Sequence, residues 1–99
     1  MTINKQQNGD TLLITVKGRL DSVTAPQLQA ALIPEFGNVK LVRLDFCGLE
    51  YVSSAGLRVL LHGQKTAKTK GSSMVLKNVS PEILEIFEMT GFSDFLKVE

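Results

Sequence analysis

Apolar residues recur along this chain with two alternating periods. In TLLITVKG (11–18), Leu12, Ile14 and Val16 alternate with Leu13, Thr15 and Lys17, and the run ends at Gly18. Period two over this length predicts a strand with one well-buried face. The preceding TINKQQ is expected to pair with it across residues 8–10, because Asn-Gly is a favoured hairpin turn. In DSVTAPQLQAALIPEFG the spacing of Leu28, Ala31 and Leu32 is helical, and Pro34 with Gly37 stops the helix. Asp21, Ser22 and Thr24 are candidate acceptors for its first amides, and Pro26 is tolerated where amides lack helical partners anyway.

The run VKLVRLDF (39–46) is dense in Val and Leu and predicts an inner strand covered on both faces. From Ser54 the period changes again. Leu57, Leu60 and Leu61 mark one side of a helix, Arg58, His62 and Lys65 the other, and Gly71 terminates it. Gly63 costs about 1 kcal/mol relative to Ala in a helix interior, which points to close packing there. SSMVLKN supplies a short strand. SPEILEIFEMTG is a helix with Ser80 as cap, Pro81 at its first position, Ile83, Leu84 and Phe87 as apolar stripe and Gly91 as stop. DFLKVE closes as an edge strand or frayed tail. The expected fold is one α/β domain over 1–99, ordered β-β-α-β-α-β-α-(β). Its sheet is mixed and mostly parallel, with helices packed against it and right-handed crossovers.

Composition narrows the function. Ninety-nine residues make one domain, large enough for a core without disulfides or a structural metal. A net charge of +1 gives no polyanion-binding field, and the basic cluster Lys65, Lys68 and Lys70 falls near a helix C-terminus, where cations complement the dipole. Nucleic acid is therefore not an expected partner. The single cysteine, Cys47, forms no internal disulfide and reads as a small buried hydrophobe in a reducing compartment. No signal peptide or membrane-length apolar run is present, so the expected location is cytoplasmic, without direct membrane contact.

The segment YVSSAGL (51–57) places two hydroxyls and little other bulk at a strand–helix junction. A catalytic serine needs a base within about 2.6–3.2 Å. The one histidine, His62, is two helical turns from Ser54, an axial separation of about 12 Å, and Val52 breaks the G-x-S-x-G elbow. One His and one Cys are too few for zinc, the acidic residues lack calcium-loop spacing, and no phosphate-binding glycine loop occurs. The chain is expected to be no enzyme and to need no cofactor. Ser53 or Ser54 can cap the helix, yet a cap leaves Ala55 and Gly56 unexplained. Covalent modification is the remaining reading, since a helix N-terminus tolerates a phosphate.

GRLD (18–21), LDFCGLEYVSSAGLRVLL (44–61) and SPEILEIFEMTGF (80–92) resemble the bacterial anti-sigma factor antagonists, single-domain members of the STAS (sulfate transporter and antagonist) fold, in the same element order over nearly the whole chain. The resemblance implies that Ser54 is the serine phosphorylated by the family's partner kinase, with Ala55, Gly56 and Leu57 following it. It also implies that Asp21 lies close by and that Met89, Thr90 and Gly91 match the end of the last full helix. The implied partner surface is Asp21, Ser22, Thr24, Ser53, Ser54, Ala55, Gly56 and Arg58. Two positions depart from the family pattern. Ser53 replaces the usual Asp and becomes a rival acceptor, and Arg58 stands where many relatives have Gly.

The implied mechanism is partner switching. The unphosphorylated protein, monomeric when free, binds an anti-sigma factor that is also an ATP-dependent serine kinase, and so frees a sigma factor. Phosphorylation abolishes binding, and a metal-dependent serine phosphatase restores it. The alternative is a constitutive accessory subunit of an ABC-type lipid transporter, in which the serine only caps a helix.

Overall fold

The structure, a computed structural model, describes residues 1–99. Strand β1 (Thr2–Asn8) turns through Gly9 and Asp10 into β2 (Thr11–Leu20), with Gly9 taking the positive φ of 63° that the two-residue turn requires. Helix α1 (Ala25–Leu32) and a 3₁₀ turn (Ile33–Glu35) lead to β3 (Leu41–Val52). Then come α2 (Ser54–Lys70), β4 (Ser73–Lys77), α3 (Pro81–Thr90) and a second 3₁₀ turn (Phe92–Asp94). The sheet order is β1-β2-β3-β4, antiparallel at the opening hairpin and parallel thereafter, as the alternation of periods predicts.

Register puts the core on one face of the sheet. Leu12, Val42 and Met74 form one cross-strand row and Ile14, Leu44 and Leu76 the next, all buried. Leu28 and Leu32 of α1, Leu57 and Leu60 of α2, and Ile83 and Phe87 of α3 join the same cluster. The opposite rows, Leu13–Arg43–Val75 and Thr15–Asp45–Lys77, are only half-buried, so β3 is closely packed on one face and not on both as expected. On the open face Arg43 Nε donates to Glu99 Oε1 at 3.0 Å.

β3 also runs six residues past Phe46, where the apolar run ends. Thr15 to Lys17 on β2 faces Asp45 to Gly48 on β3, and Gly18 to Arg19 faces Leu49 to Tyr51. Each is one extra residue in β3, a bulge that breaks the alternation of buried positions: Val42, Leu44 and Phe46, then Leu49 and Val52. Cys47 sits at the first irregularity. Contrary to expectation it is exposed, and its N–H donates to Asp45 Oδ1 at 2.9 Å.

The helices begin and end on their local signals. Ser80 Oγ accepts from Ile83 N–H at 3.3 Å, Pro81 opens α3, and Gly91 ends it at φ 79°. Gly63 is buried where α2 crosses α1 and β4; an added Cβ would lie 2.9 Å from Leu32 Cδ2 and 3.1 Å from Met74 Sδ. That is the close packing its helix position predicts. The closing segment forms no full strand. It pairs with β4 through a single bridge, Leu76 N–H to Lys97 O and Glu99 N–H to Leu76 O, while Leu96 is buried in the core.

Candidate functional site

The two bulges lengthen β3 so that it ends beside the end of β2. Leu20 pairs with Val52, and Ser53 N–H then donates to Leu20 O at 2.8 Å. This bond ties the loop after β2, which carries Asp21, Ser22 and Thr24, to the start of α2, which carries Ser53, Ser54 and Ala55. Residues about thirty positions apart thereby form one surface at the end of the sheet.

The two serines differ in role. Ser53 is the N-cap, with extended backbone at φ −92° and ψ 175°, half-buried, its Oγ accepting from Gly56 N–H at 3.4 Å. Ser54 is the first residue of α2. Its side chain is exposed and makes no hydrogen bond within the chain. A free hydroxyl thus stands at the positive end of a seventeen-residue helix whose first turn contains no acidic residue.

The facing loop is rigid for local reasons. Asp21 Oδ1 accepts from Val23 N–H at 3.0 Å, Thr24 N–H at 3.1 Å and the Thr24 hydroxyl at 3.2 Å. Thr24 Oγ1 also accepts from Asp21 N–H at 2.9 Å and lies 2.8 Å from Arg19 O. These bonds close a turn before the helix; they do not cap α1, whose N-cap Thr24 gives no side-chain cap bond. The Thr24 amide foremost holds the Asp21 carboxyl below the ordinary aspartate pKa; burial, the next largest effect, opposes it, and the Val23 amide, the Thr24 hydroxyl and the Arg19 charge add to the lowering. Ser22 is exposed at the tip of the turn.

Ala55 is half-buried, and Arg58 is exposed one turn after Ser54 and takes part in none of the chain's ion pairs. Ser22, Ala55, Arg58 and His62 line a groove of about 610 Å³ between α1 and α2. Gly56 departs from the expected partner surface. It is buried against β2, and a Cβ there would lie 2.6 Å from Leu20 Cγ and 3.1 Å from Leu20 O. Its role is to let the helix approach the strand, and its N–H is the one that Ser53 caps.

Three neighbours escape a reading of the sequence. Val23 is 83% exposed at the tip of the turn, an apolar side chain flanked by Ser22 and Thr24; its isolation among polar residues is a signal that could have marked it. Arg19 and Tyr51 become partners only through the bulged register, with the guanidinium 4.3 Å from the ring centroid. Nothing in the linear sequence reveals that pair. No three His, Cys, Asp or Glu side chains converge to hold a metal ion, and no helix is long and apolar enough to cross a membrane.

Comparison with known proteins agrees with this architecture. The family profile described as "Mlab, STAS domain" matches residues 3–98. The chain is 33% identical over 98 residues to the anti-sigma-B factor antagonist of Listeria monocytogenes, covering 96% of this chain and 84% of the relative. Among solved structures it superposes on the unphosphorylated anti-sigma factor antagonist SpoIIAA with a TM-score of 0.81 at 19% identity, covering 99% of this chain and 88% of that one. The phosphorylated form of the Bacillus cell fate determinant SpoIIAA superposes with a TM-score of 0.77 at 20% identity, covering 99% and 91%. At these identities the superpositions speak for the fold alone.

Proposed function

This chain belongs to the STAS domain family, among the anti-sigma factor antagonists, and from that membership we propose that it works by partner switching with Ser54 as the switch. The unphosphorylated form binds an anti-sigma factor that is itself an ATP-dependent serine kinase, releasing a sigma factor. Phosphorylation of Ser54 abolishes that binding, and a metal-dependent serine phosphatase reverses it. The nucleotide and the metal belong to these partners. The chain itself is a regulatory binding protein and not an enzyme.

The division of labour between the serines carries the proposal. Ser53 has its hydroxyl engaged at the helix start, whereas the Ser54 hydroxyl is exposed and unengaged. This favours Ser54 over its neighbour as acceptor. A phosphate at the first residue of α2 is favoured by the helix dipole by about 0.3–1 kcal/mol. Arg58, four residues on along the same face, is within about 5–6 Å Cβ to Cβ and offers it a countercharge. Pressed into a docked protein, the same charge loses its water, at a cost of several kcal/mol unless matched. About 3 kcal/mol is already more than a hundredfold in affinity. SpoIIAA, known in both phosphorylation states on this fold, is a precedent for such chemistry.

The test is incubation with a candidate anti-sigma factor kinase and ATP, with the phosphate located by mass spectrometry. We expect it on Ser54, with Ser54→Asp losing kinase binding and Ser54→Ala retaining it. No phosphate on Ser54 from a demonstrably active kinase, or equal binding by both variants, overturns the reading. Constitutive docking on a transporter ATPase, with Ser53 a simple cap and no acid before Ser54, predicts that equal binding.

A further inference from the structure

The far end of α2 holds a second concave region, unconnected with Ser54. It measures about 450 Å³ and lies between the last turns of α2, the start of β4 and the closing segment. Lys65, Lys68 and Lys97 line it along with one carboxylate, Asp94, leaving two uncompensated positive charges. None of the three lysines has an ion-pair partner. Lys68 lies in the last turn of α2, Lys65 about one turn before it, and Lys97 comes from the closing segment.

A further feature points to an occupant. Phe95, which with Leu61 supplies the apolar lining, is 60% exposed although a core is close by. The walls are also fixed. Lys97 is held by its backbone bond to Leu76, Leu96 is anchored in the core, and Ser73 N–H donates to Lys40 O at 2.8 Å.

We propose that this cavity is a binding site for a small anion carrying an aromatic or other flat apolar group. The anion sits among Lys65, Lys68 and Lys97, and the apolar group lies on Phe95 and Leu61. The inference is independent of the switch at Ser54.

Phenyl phosphate and inorganic phosphate are the probes, titrated separately into ¹⁵N-labelled protein. We expect saturable shifts at Gln64, Lys65, Ser73 and Lys97. Phenyl phosphate should bind at least tenfold more tightly than inorganic phosphate. Lys68→Glu with Lys97→Glu should weaken phenyl phosphate at least tenfold, and since both side chains are exposed the variant's amide spectrum should otherwise be unchanged. Ser54→Asp should bind like the parent. Phe95→Ser should erase the preference for the phenyl compound. Unsaturable shifts, shifts spread equally over Lys5, Lys17 and Lys40, or undiminished binding by the charge-reversed variant would each overturn the proposal.

Discussion

Truncating the two serines one at a time should give different results, although they are chemically identical neighbours. Ser53→Ala removes an N-cap. Such losses cost about 0.5–2 kcal/mol, and the 3.4 Å separation from Gly56 N is longer than the roughly 2.7–3.2 Å of a strong N–H···O bond. The loss therefore falls in the lower half of the range, about 1 kcal/mol, or about 4–8 °C in melting temperature for a domain of this size. Ser54→Ala removes no bond and places a better helix former at the first position, so stability should hold or rise by a few tenths of a kcal/mol. Ser54→Asp adds a charge at the positive helix end and should stabilise by about 0.3–1 kcal/mol. The informative quantity is the pair of signs for that one variant: a higher urea midpoint together with a hundredfold or greater loss of partner affinity. Urea unfolding followed by circular dichroism, beside binding measured by calorimetry, reads both. If Ser54→Ala destabilises as much as Ser53→Ala, or if Ser54→Asp lowers stability in step with binding, the separation of fold from switch is wrong.

Three further outcomes follow from local geometry. Gly56→Ala forces a Cβ to 2.6 Å from Leu20 Cγ and 3.1 Å from the Leu20 carbonyl, and should cost about 1–3 kcal/mol in urea unfolding. Gly63→Ala meets only the ends of Leu32 and Met74, so a propensity gain of about 1 kcal/mol offsets most of the clash; a larger loss at Gly63 than at Gly56 contradicts this packing. The Asp21 carboxyl has a folded pKa below its unfolded one, so its contribution is present above the unfolded value and lost as pH falls through the folded value. The stability gap between the wild type and Asp21→Asn should therefore be widest near neutral pH and close as pH falls through the folded value, and a gap independent of pH refutes the assignment.

The elements that sequence reveals best are those whose signals are local. Ser80, Pro81 and Gly91 bracket α3 where the structure has it, and the alternation of residues 12–16 identifies the buried face of β2. The end of β3 is illegible because its two extra residues are defined against β2: spacing of three between Phe46, Leu49 and Val52 has no strand meaning until the partner is known. The same bulges hid the exposure of Cys47 and the Arg19–Tyr51 stack. Small residues after the serines announced a special junction, but in the fold they divide. Ala55 lines the groove, whereas Gly56 serves the contact with Leu20, a distinction that depends on which way a helix residue faces.

Helix α2 is wedged against the sheet at Gly56 and against α1 and β4 at Gly63, two tight contacts two turns apart. A rod clamped at both places has little room to slide or roll. Under the proposed switch at Ser54 such a domain would act as a page and not as a clock: one bit stored without a change of shape, its duration decided by whoever writes and erases it.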